Sequence, residues 1–172
     1  MGAALAGDAR AFDALLTRHE SSVLRVLRFL GVPPRDREDV AQDVFIRVFR
    51  HLKGFRRGRS FSGWLYRVSV NSAHDYRLRA LRTARDESPW IEGLDPSAGV
   101  DAGGARDLRR SLEIALSQLS ERERVVFVLK EIEGLETHEI AKALGITGIT
   151  VRRHLGLARD RLRSLLAGLE RK

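Results

Sequence analysis

The chain has 172 residues, 43% hydrophobic and 31% charged, a balance that suits one ordinary globular domain or two small ones and argues against wholesale disorder. It has no cysteine, which excludes a disulfide framework, cysteine zinc sites and a thiol nucleophile and suits a reducing compartment. The net charge of +8 is concentrated: residues 50–85 carry ten Lys and Arg against Asp75 alone, whereas residues 86–104 carry five acids and no base.

Helical periodicity runs through most of the chain. The start, MGAALAGDARAF, has neither a basic nor a long apolar region, so no secretory signal is expected there. Phe12, Leu15, Leu16, Val23, Leu27 and Leu30 follow at near-helical spacing until Gly31 and Pro33-Pro34 stop the first helix. A second helix restarts with Asp36 as its expected N-cap, on the stripe Val40, Val44, Val48 and Leu52 thickened by Phe45 and Phe49, and Gly54 closes it. A third is expected from about Ser60 to Arg85, with Phe61, Trp64, Leu65 and Val68 on one face.

The segment FRRGRSFSGWLYRVSVNSAHDY, residues 55–76, holds five of the eleven aromatics among Arg56, Arg57, Arg59 and Arg67. A basic block with interleaved rings is the footprint of a polyanion, most often nucleic acid; a merely solubilising charged face is the alternative. DESPWIEGLDPSAGVDAGG, residues 86–104, has two Pro, four Gly and no helical period, and reads as a linker. Beyond it the helical pattern resumes, with breaks near Ser120, Gly134 and Gly145. The longest strongly apolar run, VVFVL, is far short of the roughly 20 residues a membrane helix needs, so no membrane insertion is expected.

THEIAKALGITGITVRRHL, residues 137–155, carries a helix-turn-helix pattern. Ala141 is small where two helices would cross, Gly145 stands where the turn needs positive φ, and Ile140, Leu144, Ile146, Val151 and Leu155 form the apolar wedge. The second helix offers Thr147, Thr150, Arg152, Arg153 and His154 near its N-terminal end, the part that reaches base edges in a major groove. An arginine-rich helical hairpin is the plainer alternative. HEIAK has Lys142 where the zinc pattern H-E-x-x-H needs a second His, and no nucleophile-and-base pair or phosphate loop occurs. Neither a metal, a cofactor nor an enzymatic activity is expected.

DREDVAQDVFIRVFRHL, FSGWLYRVSVNSAHDY and LSERERVVFVLKEIEGLETHEIAKALGITGITVRRHL, in that order and across a linker, resemble an extracytoplasmic-function sigma factor of bacterial RNA polymerase. The resemblance runs from about residue 8 to residue 167. It implies an all-α chain of two small domains in the cytoplasm. Residues 1–85 would be a sigma-2 helical bundle that binds core polymerase and recognises and melts the −10 element. Residues 86–104 would be an acidic, flexible linker, and residues 105–172 a sigma-4 helix-turn-helix that reads the −35 element.

The implied partners are promoter DNA, the β′ clamp helices and β flap of the polymerase core, and an anti-sigma factor, commonly a membrane-bound one. Asp39, Gln42, Asp43 and Arg47 would face the polymerase. Phe55, Ser60, Phe61 and Asn71, with Arg56, Arg57, Arg59, Arg67 and Arg77 as phosphate anchors, would hold the −10 single strand, where stacking is worth roughly 1–3 kcal/mol per base. Trp64 reads better as core, and Tyr66 and Tyr76 are undecided. The acids Asp86, Glu87, Glu92, Asp95 and Asp101 could mimic nucleic acid in a polymerase channel; a soluble tether is the alternative. His154, Gly156, Leu157 and Ile149 depart from the family's usual basic or small residues, so the −35 sequence is not transferable from relatives. A free-standing helix-turn-helix regulator that binds duplex DNA without polymerase is the rival reading.

Overall fold

The computed structural model describes residues 8–55, 60–86 and 104–169. Among them the regular structure is helical: α1 (Ala9–Phe29), α2 (Pro34–His51) with a 3₁₀ turn at Leu52–Gly54, α3 (Phe61–Asp86), α4 (Gly104–Ser117), α5 (Glu121–Phe127), α6 (Thr137–Leu144) and α7 (Gly148–Leu169). Arg56, Arg57, Arg59 and the acids from Glu87 to Asp101 lie outside the described residues.

Local chemistry sets most of the boundaries. Asp8 caps α1, its carboxylate accepting from the backbone N–H groups of Arg10 and Ala11 at 3.0 and 3.2 Å. Gly31 turns the chain with φ +86°. The second helix starts two residues before the expected cap: Pro33 occupies the cap position and Pro34 the first turn, with Asp36 inside it. Proline's fixed φ suits that position and its missing N–H costs nothing there. Ser120 and Glu123 form a reciprocal capping box at α5.

Helices α1, α2 and α3 pack on one another, and α4 to α7 form a second group. Val23, Val26, Leu27, Val44, Val48 and Leu65 fill the first group; Leu116, Val126, Leu129, Ile140, Val151 and Ala158 fill the second. The α2 stripe is buried as its spacing requires, but Phe49 is 62% exposed and leans on Phe12 with ring centroids 5.1 Å apart.

The two groups also pack on each other, α3 against α6 and α1 against the end of α5. That end is a π turn, Val128–Ile132, where the Glu133 N–H donates to the Val128 carbonyl at 3.0 Å. The wider turn delivers Glu133 to the first group. Its side chain is only 2% exposed and accepts from Arg25 Nε at 2.7 Å, Arg25 Nη2 at 3.1 Å and the Tyr66 hydroxyl at 2.8 Å. Burial, reinforced by the bond to Glu133, pushes the Tyr66 phenol up to about 12. Glu121, which meets His74 Nδ1 at 2.9 Å and also pairs with Arg77, and the Arg28–Glu113 pair add more exposed contacts between the groups.

Glu133→Gln keeps the shape but removes the charge that Arg25 and Tyr66 address. A loss of about 1–3 kcal/mol in urea unfolding is expected, with a larger radius of gyration by X-ray scattering as the groups loosen. Wild-type stability and scattering in the variant would contradict a structural role for this carboxylate.

Candidate nucleic-acid interfaces

The α2 face gathers its candidates unevenly. Asp39 and Gln42 are exposed, whereas Asp43 lies 3.9 Å from Arg79 and Arg47 donates to Asp75 at 2.8 Å. Arg47 therefore fixes α2 against α3 as well as bordering that face. Ile46 and Phe49, 41% and 62% exposed, continue the same outward stripe from Asp39 and Gln42 at helical spacing. Sequence periodicity groups Phe49 with the buried stripe, because an aromatic beside that stripe carries no mark of which way it leans.

On α3 the rings form one cluster. Phe55 lies 5.2 Å from Trp64 and 5.9 Å from Phe61; Phe61 lies 5.8 Å from Trp64 and 5.3 Å from His19. These separations suit edge and tilted aromatic contacts. The cluster clamps both ends of the loop between α2 and α3, and Ser60 starts α3 by accepting from the Gly63 N–H at 3.2 Å. Arg67 and Asn71, one turn apart, are exposed on α3. Tyr66 is buried on Glu133, and the Tyr76 hydroxyl donates to Asp36 at 2.6 Å, so both tyrosines serve packing in this arrangement.

A cleft of about 480 Å³ lies between this region and α6. Phe55, Trp64, Arg67 and His51 line one wall, and His138, Glu139 and Lys142 the other. Rings beside cations are what a base and its phosphate need. Arg77, a candidate phosphate anchor, is held by Glu121 of the second group. The Glu139 carboxyl sits below its ordinary range, chiefly through the Glu136 backbone N–H at 3.0 Å, against the opposing effect of burial, and with help from the Ser60 hydroxyl across the cleft.

The helix-turn-helix is built by α6 and α7. Gly145 takes φ +67° with open space where a Cβ would stand, so backbone conformation, not crowding, calls for glycine. Ile140, Val151 and Leu155 are buried in the wedge, with Leu144 and Ile146 packed against it. The five candidates at the start of α7 then divide. Thr147 Oγ1 accepts from the Thr150 N–H at 3.2 Å and lies 2.8 Å from Thr150 Oγ1, so this pair caps the helix. Arg152 and Arg153 are exposed. His154 is half-buried, and its Nδ1 is enclosed with no hydrogen-bond partner among the described residues. Ile149, 73% exposed, stands at the tip instead.

Glu123 holds α7 in place: its side chain, 5% exposed, accepts from Arg161 Nη1 at 3.0 Å and from the Ser120 N–H at 3.0 Å. Burial pushes its carboxyl up, but the Ser120 hydrogen bonds and then the charges of Arg161 and His154 outweigh that and leave it below 4.5. Among the described residues no group of three acidic or His side chains could hold a metal, and no helix is long and apolar enough to cross a membrane.

Comparisons with known proteins fall on both groups. The sigma-70 region 2 family model matches residues 15–83 and the sigma-70 region 4 model residues 109–162. RNA polymerase sigma factor CnrH of Cupriavidus metallidurans is 33% identical, over 95% of this chain and 90% of its own. The ECF RNA polymerase sigma-E factor of Escherichia coli K12 is 30% identical, over 96% of this chain and 92% of its own. The solved structure of CnrH in complex with the cytosolic domain of CnrY superposes with a TM-score of 0.76 at 29% identity, covering 97% of this chain and 94% of that one. Sigma factor RpoE of Bartonella quintana, solved with the anti-sigma factor NepR, shares the fold with a TM-score of 0.78 at 21% identity, over 92% and 98% of the two chains.

Because the folded pKa of Glu123 is depressed, its stabilisation is complete above the ordinary 4.5 and is lost as pH falls through the folded value. Urea midpoints should therefore drop as pH is lowered from about 5 to about 3, and drop less steeply in Glu123→Gln than in the wild type. Equal slopes would rule this carboxylate out.

Proposed function

This chain belongs to the extracytoplasmic-function sigma factors, alternative factors that direct transcription by RNA polymerase, and from that premise we propose how its two helical groups divide the work. Residues 105–172 read the −35 duplex through the start of α7, and residues 1–85 bind core polymerase and capture the opened −10 strand. The observation that carries this reading is the capped N-terminus of α7, from which Arg152 and Arg153 project into solvent. That is the end a helix-turn-helix presents to base edges. On the other group, Arg67 lines the cleft of rings and Asn71 is exposed one turn further along α3, where a displaced strand needs stacking surfaces and phosphate partners.

Polymerase contact is assigned to the outward face of α2, where Asp39 and Gln42 supply polar groups, Ile46 and Phe49 apolar ones, and Asp43 and Arg47 the border. The rival reading of a free-standing regulator has no support, since the region 2 match leaves it without an account of residues 15–83. The factor contributes positioning and binding, with no chemistry of its own, and works in the cytoplasm beside the polymerase. CnrH was solved in complex with the cytosolic domain of CnrY, which supports a protein regulator for this chain as well, and an anti-sigma factor is the regulator we propose.

Dimensions add a constraint. The −35 and −10 elements lie roughly 25 base pairs apart, about 85 Å along the duplex. A compact chain of this length has a radius of gyration of about 16 Å. The packed arrangement cannot reach both, so the Glu133 and Glu121 contacts must part when the holoenzyme sits on a promoter. Parting them also releases Arg77 and uncovers the ring-lined cleft.

Purified core polymerase with this chain should start transcription at discrete sites in a promoter library. Arg152→Ala with Arg153→Ala should cut initiation at −35-dependent promoters by at least about 30-fold, from about 1–3 kcal/mol for each of the two base-contacting arginines, while core binding persists. Wild-type initiation by the double variant would overturn the assignment of α7.

A further inference from the structure

We propose that Ile149 is a specificity residue that reads the methyl group of a thymine in the −35 duplex. The inference rests on the −35 role given to α7 above and names what the tip of that helix recognises. Thr147 and Thr150 spend their hydroxyls and the Thr150 N–H on capping the helix. His154 turns its Nδ1 inward. The side chains left projecting at the tip are Ile149, Arg152 and Arg153.

Ile149 is the most exposed large apolar side chain among the described residues, at 73%. A single exposed aliphatic is ordinary on a protein surface; its position is what matters. At about 100° per residue, Arg152 and Arg153 fall roughly 60° and 40° to either side of it, one turn along. The Arg152 guanidinium lies back along the helix start, 3.7 Å from where a Gly148 Cβ would stand. Ile149 is thus an apolar point between two cations, on the end of the helix that enters a major groove. The floor of that groove is polar apart from the C5-methyl group of thymine, so an isoleucine there has one favourable contact to make.

A second observation points the same face toward DNA. Gly156, two turns on and in line with Ile149, is exposed inside the helix, and a Cβ there would meet nothing within 4 Å. Glycine inside a helix costs roughly 0.5–1 kcal/mol relative to alanine, and no neighbour among the described residues requires it. A backbone without a Cβ lets the helix lie closer to whatever covers this face. Asp160, exposed one turn further along, is an acid that phosphate would avoid, and it marks where the contact ends.

The test uses the full chain bound to core polymerase. A promoter library randomised over the −35 region gives the preferred sequence, and each thymine in it is then replaced singly by deoxyuridine, which removes only the methyl. One replacement should weaken wild-type holoenzyme binding by about three- to fivefold, the scale of one buried methylene. Ile149→Ala should weaken binding to the thymine promoter similarly and lose no more when that thymine becomes deoxyuridine. Gly156→Ala should raise the melting temperature yet weaken promoter binding, which a purely structural glycine would not do. The proposal is overturned if no thymine is methyl-sensitive in the wild type, or if Ile149→Ala keeps the full methyl penalty. A holoenzyme that initiates specifically but selects no −35 sequence would overturn the −35 reading itself.

Discussion

The carboxylate of Glu133 is the point on which the arrangement turns. It sits almost wholly out of water, and a buried charge without partners costs several kcal/mol. Its partners are the Arg25 fork and the Tyr66 hydroxyl, both from the other helical group. Neither group can satisfy this side chain alone. The π turn at the end of α5 carries Glu133 across the junction, and α6 then falls against α3 and roofs the cleft of rings. The pairs at Glu121 and Glu113 are more exposed and correspondingly weaker. They fix orientation more than they add stability.

The same closure sets the conditions of use. A factor that reads two promoter elements must extend, and extension returns Glu133, Arg25 and Tyr66 to water. A carboxylate and a guanidinium are well solvated when exposed, so opening costs far less than breaking an apolar core of the same area. A polar junction therefore suits two groups that have to part and rejoin, while Val44, Leu65, Val126 and Ile140 keep each group folded throughout.

Elements that depend on neighbours along the chain are legible in the residues themselves. The stripes of α1 and α2, the break near Ser120 and the turn glycine at Gly145 follow from local spacing and local chemistry, while the family enters through the resemblance of three ordered stretches. Features set by tertiary contact are not. Arg25 and Glu133 are 108 residues apart, and nothing near either marks the pairing. Phe49 turns outward and His154 faces inward because their surroundings, not their spacing, decide; the Thr147 cap, by contrast, is a bond to Thr150 three residues on. The start of α2 at Pro34 is legible in principle, since proline in a first turn is a known preference. Ile149 is visible as a departure from the family's pattern, but only its exposure between two arginines gives the departure a meaning.

On this reading the free chain is closed and opens on polymerase. Since the sequence has no cysteine, Ala14→Cys on α1 and Ser164→Cys on α7, both at exposed positions, allow site-specific donor and acceptor labelling. Single-molecule energy transfer should show one short-distance population for the free chain. Core polymerase and promoter DNA should convert it to a long-distance one. A free chain already extended, or a distance unchanged in the promoter complex, would mean that the two groups do not part on polymerase.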